Sequence, residues 1–179
     1  MRIESWVGAA VVVLVLLSGS VIADEPQQCH RSPLPPNIDL AHDLARVLAR
    51  IYDRSPAFRS QCARIAATDT VRVTVRIDTA IPSRCRAYTI IRRQGHEIRA
   101  EVHLPPSSAL TELVAHEFEH ILEQIDGVDL RHEAAEGRAW ALPGGVFETR
   151  RAFAAGMQVL READPPRGQP AKTVVHATR

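Results

Sequence analysis

Apolar residues along this chain recur with two different periods, and each change of period marks a new element. Leu40, Leu44, Val47, Leu48 and Ile51 return at helical spacing, which predicts a helix from Asp39 with that aspartate as its cap. Ser55 and Pro56 restart a helix, because proline at the first helical position gives up an N–H that no helical carbonyl needs. Phe58, Cys62 and Ile65 form the inward face of that second helix. From Val71 the period falls to two: Val71, Val73, Val75 and Ile77 alternate with Arg72, Thr74 and Arg76, which predicts a half-buried strand with a cationic outer face. Tyr88 to Arg92 and Ile98 to Leu104 are two further strands, with Gln94 and Gly95 in the turn between them and Pro105 and Pro106 closing the second. A long helix follows from Ser107 or Ser108 to Ile125, stopped by Gly127 as a left-handed cap. The polar stretch from Arg131 to Trp140 is a candidate helix, Pro143, Gly144 and Gly145 break it, and a last helix is predicted from Val146 to Ala163. Together these elements predict an α+β domain over residues 38–163, a small antiparallel sheet packed on helices.

The ends differ from this middle. Residues 1–23 have the pattern of a signal peptide: Arg2, then an apolar run through Val11 to Leu17, then Val21 and Ala23 as a small-x-small cleavage site before Asp24. Retained, the same segment would be a membrane anchor, since it falls only slightly short of the roughly 20 residues that span a bilayer. Either outcome implies export, to the periplasm or beyond the cell. Residues 24–37, with Pro26, Pro33, Pro35 and Pro36, predict an extended lead-in, and residues 164–179, with Pro165, Pro166, Gly168 and Pro170, a disordered tail. Export would place Cys29, Cys62 and Cys85 in an oxidising compartment, where Cys62 with Cys85 is the favoured pair because both lie inside the folded region. With 22 Lys+Arg against 21 Asp+Glu there is no field to attract a polyanion, which argues against nucleic acid as a partner.

The chemistry is concentrated in His116-Glu117-Phe118-Glu119-His120. Residues four apart on a helix stand about 40° apart around its axis, so both imidazoles overhang one point. Zinc takes imidazole nitrogen at about 2.0–2.1 Å, a geometry that adjacent turns can supply to a single ion. Glu117, on the adjoining face, is placed to act as general base towards an attacking water. Leu110, Leu113, Val114, Phe118, Ile121 and Ile125 form the apolar stripe of this helix, with the two histidines at its edge. Glu112, Glu119 and Glu123 fall on the outward side and are expected to be solubilising charges.

The five-residue motif and its helix resemble the zinc-binding helix of the zincin metallopeptidases. That resemblance implies one zinc ion, a peptide or protein substrate, and an edge strand on which the substrate lies extended, a place that Ile98 to Leu104 would take. It also requires a third ligand, because a catalytic zinc keeps three protein ligands and an open position. The metzincin continuation is missing, since no histidine follows His120 until His132. A gluzincin-like glutamate on a later helix is the better match, and Glu148 is preferred over Glu136, Glu133 and His132. The match is incomplete, as Phe147 and Ala152 stand where the thermolysin-like pattern has asparagine and aspartate. The acid that orients a ligand must therefore come from elsewhere. Tyr88, His103 and His132 are the candidates for stabilising an oxyanion.

Two functional classes fit these residues. One is a zinc-dependent endopeptidase with His116, His120 and Glu148 as ligands and Glu117 as base. The other is an exported binding or scaffold protein, with a structural metal site or a degenerate zincin-like fold, which would need a fourth protein ligand.

Overall fold

The computed structural model describes residues 33–82, 85–143 and 145–165. Their order is β1 (Ile38–Leu40), α1 (His42–Arg54), α2 (Pro56–Ala66), β2 (Val71–Ile77), β3 (Tyr88–Gln94), β4 (Glu97–Leu104), α3 (Leu110–Ile125), α4 (Leu130–Ala135), β5 (Ala139–Leu142), β6 (Val146–Thr149) and α5 (Arg150–Ala163). The class is α+β, with a small sheet packed against helices. The alternation in β2 does what its pattern predicts: Val71, Val73 and Val75 are buried, while Arg72 and Arg76 face water. Ile98, Ala100, Val102 and Leu104 of β4 join them on the same face, and Leu44, Leu48, Ile51, Phe58, Cys62 and Phe118 from the helices close the core.

The sheet is mixed, not antiparallel. Its order is β1-β2-β4-β3, with β2 parallel to both β1 and β4 and only β3 antiparallel to β4. Parallel neighbours need a crossover, and the two helices between β1 and β2 provide one. Between β2 and β3, residues 78–87 are long enough to skip a strand position, which β4 then fills. Consequently β4 is internal and the edges belong to β1 and β3; the expectation that Ile98 to Leu104 is the edge strand is corrected.

Several predicted boundaries hold and others move. Ser55 Oγ accepts from the Phe58 N–H at 3.0 Å with Pro56 at the helix start, as expected. Asp39 lies in β1, and the residue before α1 is Ala41, so Asp39 is not the cap. Leu34 is already buried in the core, and Asn37 Nδ2 donates to the Ile65 carbonyl at 2.9 Å, so order starts ahead of Ile38. The helix expected from Arg131 to Trp140 is only α4 before the chain turns into β5. The helix expected from Val146 begins at Arg150, because Val146 to Thr149 pair with β5 and the Thr149 hydroxyl caps α5 by accepting from the Ala152 N–H at 2.9 Å. Four residues are too few for periodicity to separate strand from helix, and pairing with β5 decides it.

Cys62 is fully buried and Cys85 half-buried, both as free thiols, so the favoured Cys62–Cys85 disulfide is not formed; burial pushes the Cys62 thiol up to about 12. Among the described residues no helix is long and apolar enough to cross a membrane, and the signal-peptide segment and residues 166–179 of the tail lie outside them.

Helix α5 packs tightly on α3 at Gly156, where an added Cβ would stand 2.9 Å from the Glu112 carbonyl oxygen and 3.3 Å from His116 Cβ. Gly156→Val is therefore expected to destabilise the fold by about 1–3 kcal/mol through overpacking. A urea denaturation midpoint equal to that of the parent would show that the two helices have room to spare.

Candidate metal centre

Helix α3 is held at its middle and at its C-terminus. Phe118 stacks on Phe58 of α2 at 5.4 Å between ring centroids, which fixes its rotation. At its C-terminus Gly127 adopts φ +70°, the Val128 N–H reaches the Glu123 carbonyl at 2.9 Å and the Gly127 N–H reaches that of Gln124 at 3.3 Å, the paired bonds of a Schellman cap. With the core side of the helix given to Phe118, Val114 and Ile121, His116 and His120 turn towards the β5–β6 hairpin. There they meet Glu148.

His116 Nε2 and His120 Nε2 are 3.2 Å apart, and Glu148 Oε2 lies 2.9 Å from the first and 3.7 Å from the second. Tetrahedral bonds of about 2.1 Å put neighbouring ligand atoms about 3.4 Å apart, so these three separations bracket what one zinc ion would demand. Two imidazole nitrogens and a carboxylate oxygen are a suitable donor set for that ion. Among the described residues no fourth histidine, cysteine, aspartate or glutamate joins the group. The structure thus brings together the three ligands expected, although Glu148 arrives on a strand rather than a helix.

Glu123 completes the arrangement. Its Oε2 lies 2.9 Å from His120 Nδ1, and its Oε1 accepts from the Thr149 hydroxyl at 2.6 Å. A carboxylate on the remote nitrogen holds the ring with Nε2 facing Glu148 and His116, and would serve as the orienting acid that the thermolysin-like pattern lacked at Ala152. Glu123 is 1% exposed, so it is not the solubilising charge that its helical position suggested. Glu119 is also buried, accepting from Gln61 Nε2 at 2.7 Å and Arg151 Nε at 2.6 Å, and Glu112 takes both Arg86 nitrogens at 2.7 and 2.9 Å. Each glutamate faces an element that a helical wheel of α3 alone does not contain. The signal that was available for Glu123 is its i,i+3 spacing from His120. Arg151 pairs with Asp126 at 2.7 Å as well as with Glu119.

Neither a family model nor a curated protein nor a solved structure matches this chain.

Glu117 lies beside the ligands, 4% exposed, and accepts a hydrogen bond from the Thr89 hydroxyl of β3 at 2.7 Å. Burial raises its pKa above the usual carboxylate range, against the opposing pull of the two histidines and Thr89. For His120 burial disfavours the charge, yet the Glu123 and Glu148 carboxylates hold its pKa up to about 10. Burial opposes ionisation of Glu148 too, but hydrogen bonds from His116 and His120 bring it down to about 2. The carboxylates around His120 thus favour positive charge at this point, and a cation bound through its Nε2 would take the place of a proton.

A cleft of about 910 Å³ opens over these groups between β3 and the hairpin. Of the remaining candidates, Tyr88 borders this cleft without joining the three-residue group, and the others lie outside it. The Tyr88 hydroxyl is donated to Asp78 Oδ2 at 2.9 Å and its ring stacks on His103, which also contacts Asp78 at 2.9 Å. Strand alternation puts both rings on the face of the sheet away from Thr89 and Glu117, so neither is aimed at an oxyanion. His132 on α4 and Glu136 just after it are exposed, and Glu133 is engaged by Arg138 at 2.6 Å.

Glu123→Gln keeps the volume and an acceptor for Thr149 but replaces the charge on His120. Zinc affinity is expected to fall about 10–100-fold. Competition with a chelating dye measures it, and an undiminished affinity would reduce Glu123 to a packing role.

Proposed function

We propose that this protein is an exported zinc-dependent endopeptidase with a zincin-like active site. The observation that carries the proposal is the convergence of His116, His120 and Glu148, from two elements remote in sequence, at separations suited to one ion, with Glu117 alongside. A set of three ligands favours catalysis over a structural site, since it leaves a position for a reactant. Further support comes from β3, an antiparallel edge strand beside α3 whose unpaired backbone groups could bind an extended peptide.

Zinc, when bound, would polarise the scissile carbonyl and make a water nucleophilic at neutral pH. His116, His120 and Glu148 would hold it, Glu123 keeping His120 in the required tautomer. Glu117 would accept the proton released as the water oxygen attacks the carbonyl carbon. It would then return that proton to the amide nitrogen as the C–N bond breaks, leaving one carboxylic acid and one amine. Burial moves its pKa upward from the carboxylate range, the direction that favours a proton carrier at neutral pH. Thr89 keeps the carboxylate pointed into the cleft while doing so.

Export belongs to the same proposal and rests on the apolar run from Val11 to Leu17 followed by the Val21 and Ala23 cleavage pattern. The test is hydrolysis of fluorescein-labelled casein by purified protein loaded with one equivalent of zinc, compared with the same sample after chelation. Activity that survives chelation, or that never appears with zinc bound, overturns the proposal.

A further inference from the structure

Exposed large apolar side chains on a soluble domain are ordinarily scattered. Here Ile90, Leu142, Val146 and Phe153 all border the metal cleft. Trp140, 48% exposed, stands directly across the hairpin from Glu148 and hence on the same face of it, with the Arg150 guanidinium 5.8 Å from its ring centre. Phe153, 56% exposed in the first turn of α5, lines the same cleft and extends this surface from the hairpin onto the helix. Such area gains by being covered, because apolar surface is more stable against an apolar ligand than against water. The cationic groups of the cleft are meanwhile engaged elsewhere: Arg86 by Glu112, and Arg93 by the Gln124 carbonyl. A charged substrate side chain would find no ready counter-ion in those two arginines, whereas an apolar one finds a wall already built.

Resting on the peptidase reading, we infer that the substrate is an extended polypeptide carrying a large apolar side chain beside the scissile bond. That side chain sits against Leu142, Val146 and Phe153 on the hairpin side of the metal, while the peptide backbone runs along β3. Specificity thus resides in the same hairpin that delivers Glu148, so ligand and selectivity are built by one element.

The test uses the full chain as its zinc-loaded Glu117→Gln variant, so that binding is read without turnover. Blocked hexapeptides of alanine, with leucine, phenylalanine, aspartate or lysine at one central position, are titrated while Trp140 fluorescence is followed; a further Trp140→Phe substitution identifies the source of the signal. Leucine and phenylalanine peptides are expected to bind at least about 10-fold more tightly than the others, the discrimination that a few methylenes give in an apolar pocket. Leu142→Ser and Phe153→Ser should each erode that preference with zinc stoichiometry unchanged. Equal affinity for all peptides, a preference for a charged one, or no binding at all overturns the inference. If the apolar peptides bind selectively but the parent enzyme never cleaves them, the inference stands and the peptidase reading fails. If casein is cleaved and the preference is absent, the reverse holds.

Discussion

Glu117→Gln protein is expected to keep its zinc and lose about 10²–10⁴-fold in kcat, the range that a positioned general base contributes. Glutamine has the shape of glutamate and can still accept from the Thr89 hydroxyl, so the cleft keeps its form. What it cannot do is take up a proton. None of the three ligand atoms is altered, and metal content should remain at one equivalent. The comparison therefore separates the two functional classes sharply: a base is indispensable to hydrolysis, whereas a structural metal site has no use for one. Casein hydrolysis at the parent's rate, with zinc bound, would remove Glu117 from the mechanism.

Glu148→Ala should lower zinc affinity by more than 100-fold, beyond the loss expected for an orienting residue. Glu148 is the only carboxylate in the three-membered group and the only member that does not come from α3. Without it the two histidines of one helix are left to hold the ion by themselves, and the hairpin loses its contact with both imidazoles. Glu133→Ala, Glu136→Ala and His132→Ala are the matched controls, because each changes a potential ligand whose side chain lies outside the group. Chelator competition on all four variants distinguishes the assignments. Should a control weaken zinc as severely as Glu148→Ala, the third ligand has been misidentified.

The connection between stability and function runs through the contacts of α3 with α5 and β6. Thr149 caps α5 and at the same time donates to Glu123, so one hydroxyl starts a helix and steadies the residue that steadies His120. Gly156 lets the two helices approach beside His116 itself. A substitution on α5, far from any reacting atom, can thereby displace a ligand.

The sequence by itself determined the parts whose information is local. Alternation made β2 a half-buried strand, Ser55-Pro56 and Gly127 marked a start and a stop, and four-residue spacing put His116 and His120 over one point with Glu117 beside them. Each follows from the fixed geometry of a helix turn or a pleat, which needs no knowledge of neighbours. Tertiary structure alone decided whatever depends on which elements meet. It made β3 an edge strand by inserting β4 next to β2, and it turned Val146–Thr149 into a strand by pairing it with β5. It also buried Glu119 and Glu123, carboxylates that a helical wheel consigns to water, because partners from α2, β6 and α5 close over them. Convergence of Glu148 on two histidines belongs to this second kind: a ligand's chemistry is written in its residue type, but its position is set by packing between segments distant along the chain.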